Sequence, residues 1–329
     1  MSQTGGPIRL ANMDDATRLF DAVRPRLHGI AYRMLGAVAD AEELVQDVWL
    51  RWHEADTAAL ASAEAWLVTV TTRLAIDRLR AAKALRAHYV GFWLPEPQLE
   101  LEELPLAATA DGPCTPEQLL ERADDISVAF LALLERLNPE ARAAFLLREV
   151  FDADYAEVAK ALGKTEAACR QIVSRAKAQL KDERPRHAVS PDRHYRLLAG
   201  FAEAARRGDF AALQSLLAED AELISDGGGI VPSFGRVLAG ASRVAQLYYA
   251  TWRRSERGEI SQRVELARLN GEWGLLRFID GRLESAQSVE ADASGGRIAR
   301  IYTQRNPEKL RRIAEAWAAA VTKPGAGSS

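Results

Sequence analysis

Cysteine is nearly absent: the 329 residues hold only Cys114 and Cys169. That is too few for a disulfide framework or a four-cysteine metal site, and unpaired thiols suit a reducing compartment. Long apolar runs are missing as well, so no segment of about 18 residues is fit to cross a membrane. Met1–Arg9 has no apolar core of the kind a secretory signal needs, and a soluble cytoplasmic protein is expected. The five histidines end at His194, and no spacing of ligating residues predicts a metal or another cofactor. At about 100–200 residues per domain, the length predicts two or three domains with ordinary cores.

What is present is segregated charge. The net charge is only −3, yet Arg73, Arg78, Arg80, Lys83 and Arg86 face Asp77 alone within 73–86. Lys164, Arg170, Arg175, Lys177 and Lys181 likewise face Glu166 alone within 164–181. Between these basic stretches, Glu96–Asp125 holds nine acids and one base, Arg122. Two basic helices around an acidic connector point to two contacts with a polyanion. Either helix alone fits a solvated face equally well.

From Asp14 to His88 the apolar spacing is helical, with no proline between Pro25 and Pro95. Pro95, Pro97, Pro105, Pro113 and Pro116 then mark a linker. A second helical block runs from Asp124 to Asp182, before Pro185 and Pro191. Helices are expected at Tyr195–Ala205 and Phe210–Ala218, and strands at Ala221–Ser225, Ser261–Leu269, Trp273–Phe278, Arg282–Val289 and Arg297–Gln304. Asn270–Gly271, Asp280–Gly281 and Gly295–Gly296 sit between strands, as turns with positive φ require. The third region is therefore expected to be α+β, with a disordered tail over Pro324–Ser329.

The sharpest local pattern is Asp154–Leu180. Asp154 with Glu157 is spaced as a capping box, Gly163 stands where a helix should end, and Thr165 can cap the next helix. Tyr155, Val158, Ala159 and Leu162 form one stripe, and Ala168, Ile172, Val173, Ala176 and Leu180 form the facing one. Glu166, Arg170, Gln171, Ser174, Arg175 and Lys177 are left outward. Arginine reads guanine and glutamine reads adenine in the major groove, so the pair predicts a helix-turn-helix. A plain helical hairpin with a basic face fits the same residues. Cys169 is expected as a small residue beside that face.

Three blocks then resemble the bacterial extracytoplasmic-function (ECF) σ factors of RNA polymerase. Asp40–Arg51 (DAEELVQDVWLR) is similar to their core-polymerase-binding helix. Ala65–Arg80 (AWLVTVTTRLAIDRLR) is similar to their −10 region, and Leu137–Arg148 (LNPEARAAFLLR), with the helix-turn-helix behind it, to their −35-reading domain. The resemblance implies two all-α σ domains, a σ2 helical bundle over 10–90 and a σ4 helix-turn-helix over 124–184, joined by a Pro-rich acidic linker over 91–123. It implies promoter DNA and core RNA polymerase as partners, the latter through the clamp helices of its largest subunit. Leu44, Val45, Val48 and Trp49 can pack inward, leaving Asp40, Glu43, Gln46 and Asp47 for that partner. Arg73, Arg78 and Arg80 are candidate −10 contacts, with Asp77 orienting a basic neighbour. Thr165, Glu166, Arg170, Gln171, Arg175 and Lys177 are candidate −35 contacts.

The remainder resembles one subgroup, the SigJ-like σ factors with a C-terminal SnoaL-like (NTF2-like) cone, here over 192–320 with a tail over 321–329. Trp93-Leu94-Pro95-Glu96-Pro97 matches its linker signature. Asp226-Gly227-Gly228-Gly229-Ile230 matches its Asp-Gly-Gly-Gly-Lys, with Ile230 in place of the lysine. Asn306-Pro307-Glu308-Lys309-Leu310 matches its Asn-Pro-Asp-Lys-Leu. The resemblance implies regulation in cis, the cone docking on the DNA-binding domains in place of a separate anti-σ factor. Trp93 could equally cap the first domain locally. Asp226, Tyr248, Tyr249, Asp280 and Tyr302 are polar candidates for a pocket, but their spacing fits no catalytic motif. No enzyme activity is expected, and a small ligand of the cone is a candidate partner. Two other readings stand beside this one: a SnoaL-like enzyme or ligand sensor fused to a DNA-binding regulator, and a repressor using the helix-turn-helix alone.

Overall fold

The computed structural model describes residues 7–56, 60–86, 89–100, 127–181 and 189–322. Residues 101–126, with most of the acidic stretch and Cys114, and the tail from 323 lie outside them. In chain order the elements are α1 (Pro7–Leu35), α2 (Val38–Glu54), α3 (Ala63–Arg86), β1 (Leu99–Glu100), α4 (Val128–Leu134), α5 (Pro139–Glu149), α6 (Tyr155–Leu162) and α7 (Glu166–Lys181). Then follow α8 (Pro191–Arg207), α9 (Phe210–Leu216), β2 (Leu217–Asp226), β3 (Leu238–Ala239), α10 (Ala241–Glu256), β4 (Gln262–Leu269), β5 (Glu272–Ile279), β6 (Arg282–Ala291), β7 (Ile298–Gln304) and α11 (Pro307–Thr322). They form two compact units, Met1–Leu85 with Leu134–Asp182, and Arg86–Leu133 with Glu183–Ser329.

The first unit is helical throughout its described residues. Leu44, Val45 and Val48 of α2 are buried, and Trp52 donates from Nε1 to Ala16 O at 3.0 Å. Thr69, Thr71 and Thr72 sit inside α3, each hydroxyl donating to the carbonyl four residues earlier at 2.7–2.8 Å. Those bonds let threonine occupy a buried helix face without an orphaned hydroxyl. Arg142 on α5 is 1% exposed and donates from Nε to Arg33 O on α1 at 3.0 Å, while pairing with Glu135. A buried cation of this kind is tolerated because it is paired and hydrogen-bonded.

The second unit is the α+β cone expected from the sequence: one seven-stranded sheet in the order β1-β4-β5-β6-β7-β2-β3, antiparallel except for β2 with β7. Phe201, Leu213, Val244, Ala245 and Ile301 fill the core between the helices and one sheet face. Each of these side chains larger than alanine contributes about 1.5–3 kcal/mol by leaving water. The turns at Asn270–Gly271 and Asp280–Gly281 have φ of 51° and 77° in both cases, the paired positive angles of type I′ hairpins.

The structure corrects several expectations. The helix expected over Phe210–Ala218 ends at Leu216, and Leu217 and Ala218 already belong to β2. Leu217 pairs with Ile298 on β7, so a long-range ladder overrides the local helical pattern. Helices α10 and α11 and the short strands β1 and β3 had no counterpart in the expectations. Cys169, expected as a small residue beside the outward face, is fully buried, and burial pushes its thiol pKa up.

Candidate nucleic-acid interface and regulatory clasp

The helix-turn-helix is built by local chemistry. Asp154 accepts from Glu157 N at 2.8 Å, and Glu157 accepts from Asp154 N at 3.0 Å, closing a capping box at the start of α6. Gly163 ends α6 with φ 64°, ψ 36°, a conformation that costs a side-chain-bearing residue about 1 kcal/mol or more. Thr165 then accepts from Ala168 N at 3.2 Å. Val158, Ala161, Val173, Ala176 and Leu180 are buried between α6 and its neighbours. Ala161 was not part of the expected stripe, while Tyr155 is only half-buried and lies under the guanidinium of Arg170 at 4.8 Å.

Thr165, just before α7, and Glu166, Arg170, Gln171, Arg175 and Lys177 on it are all exposed. Arg170 pairs with Glu166 at 2.7 Å along the helix, and Lys177 with Glu149 at 2.7 Å. Both are surface pairs, worth at most about 1 kcal/mol and easily exchanged for a polyanion.

The basic set on α3 is held differently. Arg73 donates from Nε to Ala161 O at 2.9 Å and from Nη2 to Lys160 O at 2.8 Å, both on α6. Arg78 pairs with Asp47 at 2.5 Å and Glu43 at 3.7 Å and donates to Asp40 O at 3.0 Å. Arg80 pairs with Glu140 at 2.7 Å and with Asp77 at 3.4 Å, and Lys164 also reaches Glu140 at 3.2 Å. Arg26 joins the same arrangement through Glu64 at 2.5 Å and Phe151 O at 3.3 Å. Of the α2 residues, Asp40, Glu43 and Gln46 are exposed and Asp47 is half-buried. The structure therefore brings Asp40, Glu43 and Asp47 to Arg78, and leaves Gln46 outward.

A third constellation lies wholly within the second unit and gathers the three motifs expected to act together. Asp226 is 0% exposed. Its Oδ1 accepts from Tyr89 OH at 2.6 Å and Gly228 N at 2.9 Å. Its Oδ2 accepts from Leu94 N at 2.9 Å, Lys309 Nζ at 2.8 Å and Gln304 Nε2 at 3.3 Å. Lys309 also donates to Leu94 O at 2.6 Å and lies 4.1 Å above the Trp93 ring. Gln304 donates to Leu94 O and Pro95 O, both at 3.2 Å, and Arg312 lies 3.9 Å from Glu96. Asn306 donates to Tyr89 OH at 3.2 Å and accepts from Glu308 N at 3.0 Å. Pro307 is exposed, at the first position of α11.

Segment 89–100 is thus part of the cone. Leu99–Glu100 add an edge strand to β4, and Leu94 packs with Val128, Ala129 and Tyr302. Gly228 has φ 65°, and a Cβ there would meet Asn306 Nδ2 at 2.4 Å, so only glycine fits this turn. Gly227 is tighter still, since a Cβ would lie 2.3 Å from Val231 O. Ile230 is 55% exposed, and the cation facing Asp226 is Lys309. Burial and the bond to Asp226 push the Tyr89 phenol well above its ordinary value, so it stays a donor. Tyr89 and Gln304 were absent from the sequence-based site. Asp226 and Tyr302 lie on the clasp side of the sheet, whereas Tyr248 and Asp280 line a cavity on its other side. Tyr249 stacks with Trp252 at 5.4 Å.

Two all-helical segments with a helix-turn-helix, followed by an NTF2-like cone, define a two-domain σ factor with an appended C-terminal cone domain. Residues 19–85 match Sigma-70 region 2, and residues 127–180 match Sigma-70 region 4. The chain is 35% identical over 297 residues to the ECF RNA polymerase sigma factor SigJ of Mycobacterium tuberculosis, covering 88% of this chain and 92% of that protein. It is 28% identical over 308 residues to the probable ECF RNA polymerase sigma factor SigI of that organism, covering 92% and 97%. The crystal structure of M. tuberculosis SigJ superposes with a TM-score of 0.67 at 32% identity, over 90% of this chain and 98% of that one. The chain belongs to the ECF σ-factor family, in the SigJ group. Core RNA polymerase and promoter DNA follow as its partners.

Proposed function

We propose that this σ factor is held in a closed form by its own residues, and that the cone regulates initiation in cis through the Asp226 clasp. The observation that carries this reading is the Asp226 carboxylate, fully buried, accepting from Tyr89 and Leu94 on one side and Gln304 and Lys309 on the other. The functional segments are 10–90 for polymerase and the −10 element, 124–184 for the −35 element and 192–320 for regulation. The chain that joins the first two is the one the cone grips at 89–100.

In this reading Asp40, Glu43, Gln46 and Asp47 meet the clamp helices of the largest polymerase subunit. Arg73, Arg78 and Arg80 hold the phosphates of the opened −10 element once released from α6 and Glu140. Arg170, Gln171 and Arg175 read the −35 element from α7. No separate anti-σ factor is needed, the protein works in the cytoplasm alongside polymerase, and no catalysis is assigned to the cone. Every arginine of the −10 set already has protein acceptors, which supports the closed form as the resting one. The test is run-off transcription with purified core polymerase on the DNA upstream of the protein's own gene cluster, comparing the full chain with Asp226→Asn. The reading expects a discrete start from both and more product from the variant. Equal product would remove the clasp from regulation, and failure of both to bind core would remove the assigned docking face.

A further inference from the structure

The cone holds a cavity of about 510 Å³ that opens to solvent, within the range of small-molecule sites. Its floor is polar and lies on the β2–β7 pair, where Ser225 and Thr303 are register partners. Both residues are nearly fully buried, at 2% and 3% exposure, and neither Ser225 Oγ nor Thr303 Oγ1 has a hydrogen-bond partner. A buried hydroxyl without an acceptor is costly, and these two lie side by side on residues of the cavity wall, where a bound acceptor would answer them.

The rest of the lining narrows the chemistry. Arg277, 9% exposed, sets a cation in the wall and is held by Glu284 at 2.6 Å. Burial works to raise the Glu284 pKa, but Arg277 and Arg305 overcome it and keep the carboxyl ionised below its ordinary range. Tyr248 donates to Gln287 Oε1 at 2.7 Å, and Gln287 donates to Ser285 at 3.0 Å, so this polar chain is internally satisfied. Leu223, Phe234, Leu247 and Ile279 supply apolar surface around it. Two unanswered donors in a wall that also carries the guanidiniums of Arg254, Arg277 and Arg305, with apolar surface around them, suit an apolar ring or chain ending in a carboxylate.

The same two strands carry the clasp. Successive strand residues point to opposite faces, and Asp226 and Gln304, the next register pair after Ser225 and Thr303, are the clasp groups. Arg305 adds a second link: its guanidinium reaches Glu284 in the cavity wall and Pro232 O, and its N–H donates to Asp226 O at 2.7 Å.

We infer that the cavity is a binding site for a small amphipathic carboxylate held by Ser225 and Thr303, whose occupancy is transmitted across β2 and β7 to the clasp. The binding stands by itself; its regulatory meaning rests on the clasp reading above. The probe is 1-pyrenebutyrate, followed by its fluorescence on the full chain, with 1-pyrenebutanol as the counterpart lacking the carboxylate. Saturable binding is expected, weakened about tenfold or more in Ser225→Ala/Thr303→Val, weaker for the alcohol, and abolished by Leu247→Trp, which fills the cavity. Bound probe should also alter amide hydrogen exchange over Val90–Gln98. An unfolding midpoint in the double variant that is unchanged or raised separates lost contacts from lost fold. Absence of saturable binding, or equal affinity in the double variant or for the alcohol, overturns the site. Binding that leaves exchange over Val90–Gln98 unchanged overturns the transmission, while the Asp226→Asn transcription test reports separately on the clasp itself.

Discussion

The two basic helices of the helical unit carry the same excess of positive charge and hold it in opposite ways. On α7, Arg170, Gln171 and Arg175 are exposed, and the contacts of Arg170 are confined to Glu166 and Tyr155 close by in sequence. On α3, Arg73 and Arg80 reach α6 and α5, some 60–90 residues away, and Arg78 ties α3 to α2. A helix meant to meet DNA unaided can leave its donors to water. One whose donors are already answered needs a rearrangement first, and under the proposed reading that rearrangement is the step at which initiation is controlled. The clasp is a third case, in which the same kinds of polar group gather around a fully buried carboxylate and serve the protein's own chain.

These differences set an order of effects. Removing one member of a buried pair leaves the other charge without compensation, so Asp226→Asn should destabilise the cone unit by about 3–5 kcal/mol, read by urea unfolding followed through tryptophan emission. Arg170→Ala should weaken −35 binding by about 1–3 kcal/mol and relax one base position, whereas Arg175→Ala should weaken all sequences alike. Equal, sequence-independent losses in a binding titration across −35 variants would erase that division. Asp154→Ala removes the cap of α6 and should cost about 1 kcal/mol in the helical unit, measured by its unfolding midpoint. Smallest is Glu140→Gln, which releases Arg80 and Lys164 from a surface site worth about 1 kcal/mol or less. It should raise run-off transcription by a few-fold at most and lower the salt needed to open the unit.

The helix-turn-helix was legible because its determinants are local. Asp154, Glu157, Gly163 and Thr165 act within three or four residues of themselves, and the structure finds the capping box and the left-handed glycine where the spacing put them. The hairpin turns at Asn270 and Asp280 were legible for the same reason. The clasp was legible only as three separate motifs. Tyr89 lies 137 residues from Asp226 and Gln304 lies 78 from it, and no local pattern marks either as a partner. Strand β1 was hidden by the prolines around it, since Leu99–Glu100 become a strand only by pairing with β4. The occupied state of Arg73 was equally invisible, because its acceptors are backbone carbonyls that any sequence would offer.

The claim that α3 is closed against α6 in the free protein is tested most directly by spin-label distance measurement. Labels at Ala81 on α3 and Lys160 on α6, in a chain with Cys114 replaced by serine and Cys169 left buried, report the separation of the two helices. The account predicts one narrow, short distance in the free chain that lengthens when core polymerase and promoter DNA are added. The same distance distribution in both states would contradict it.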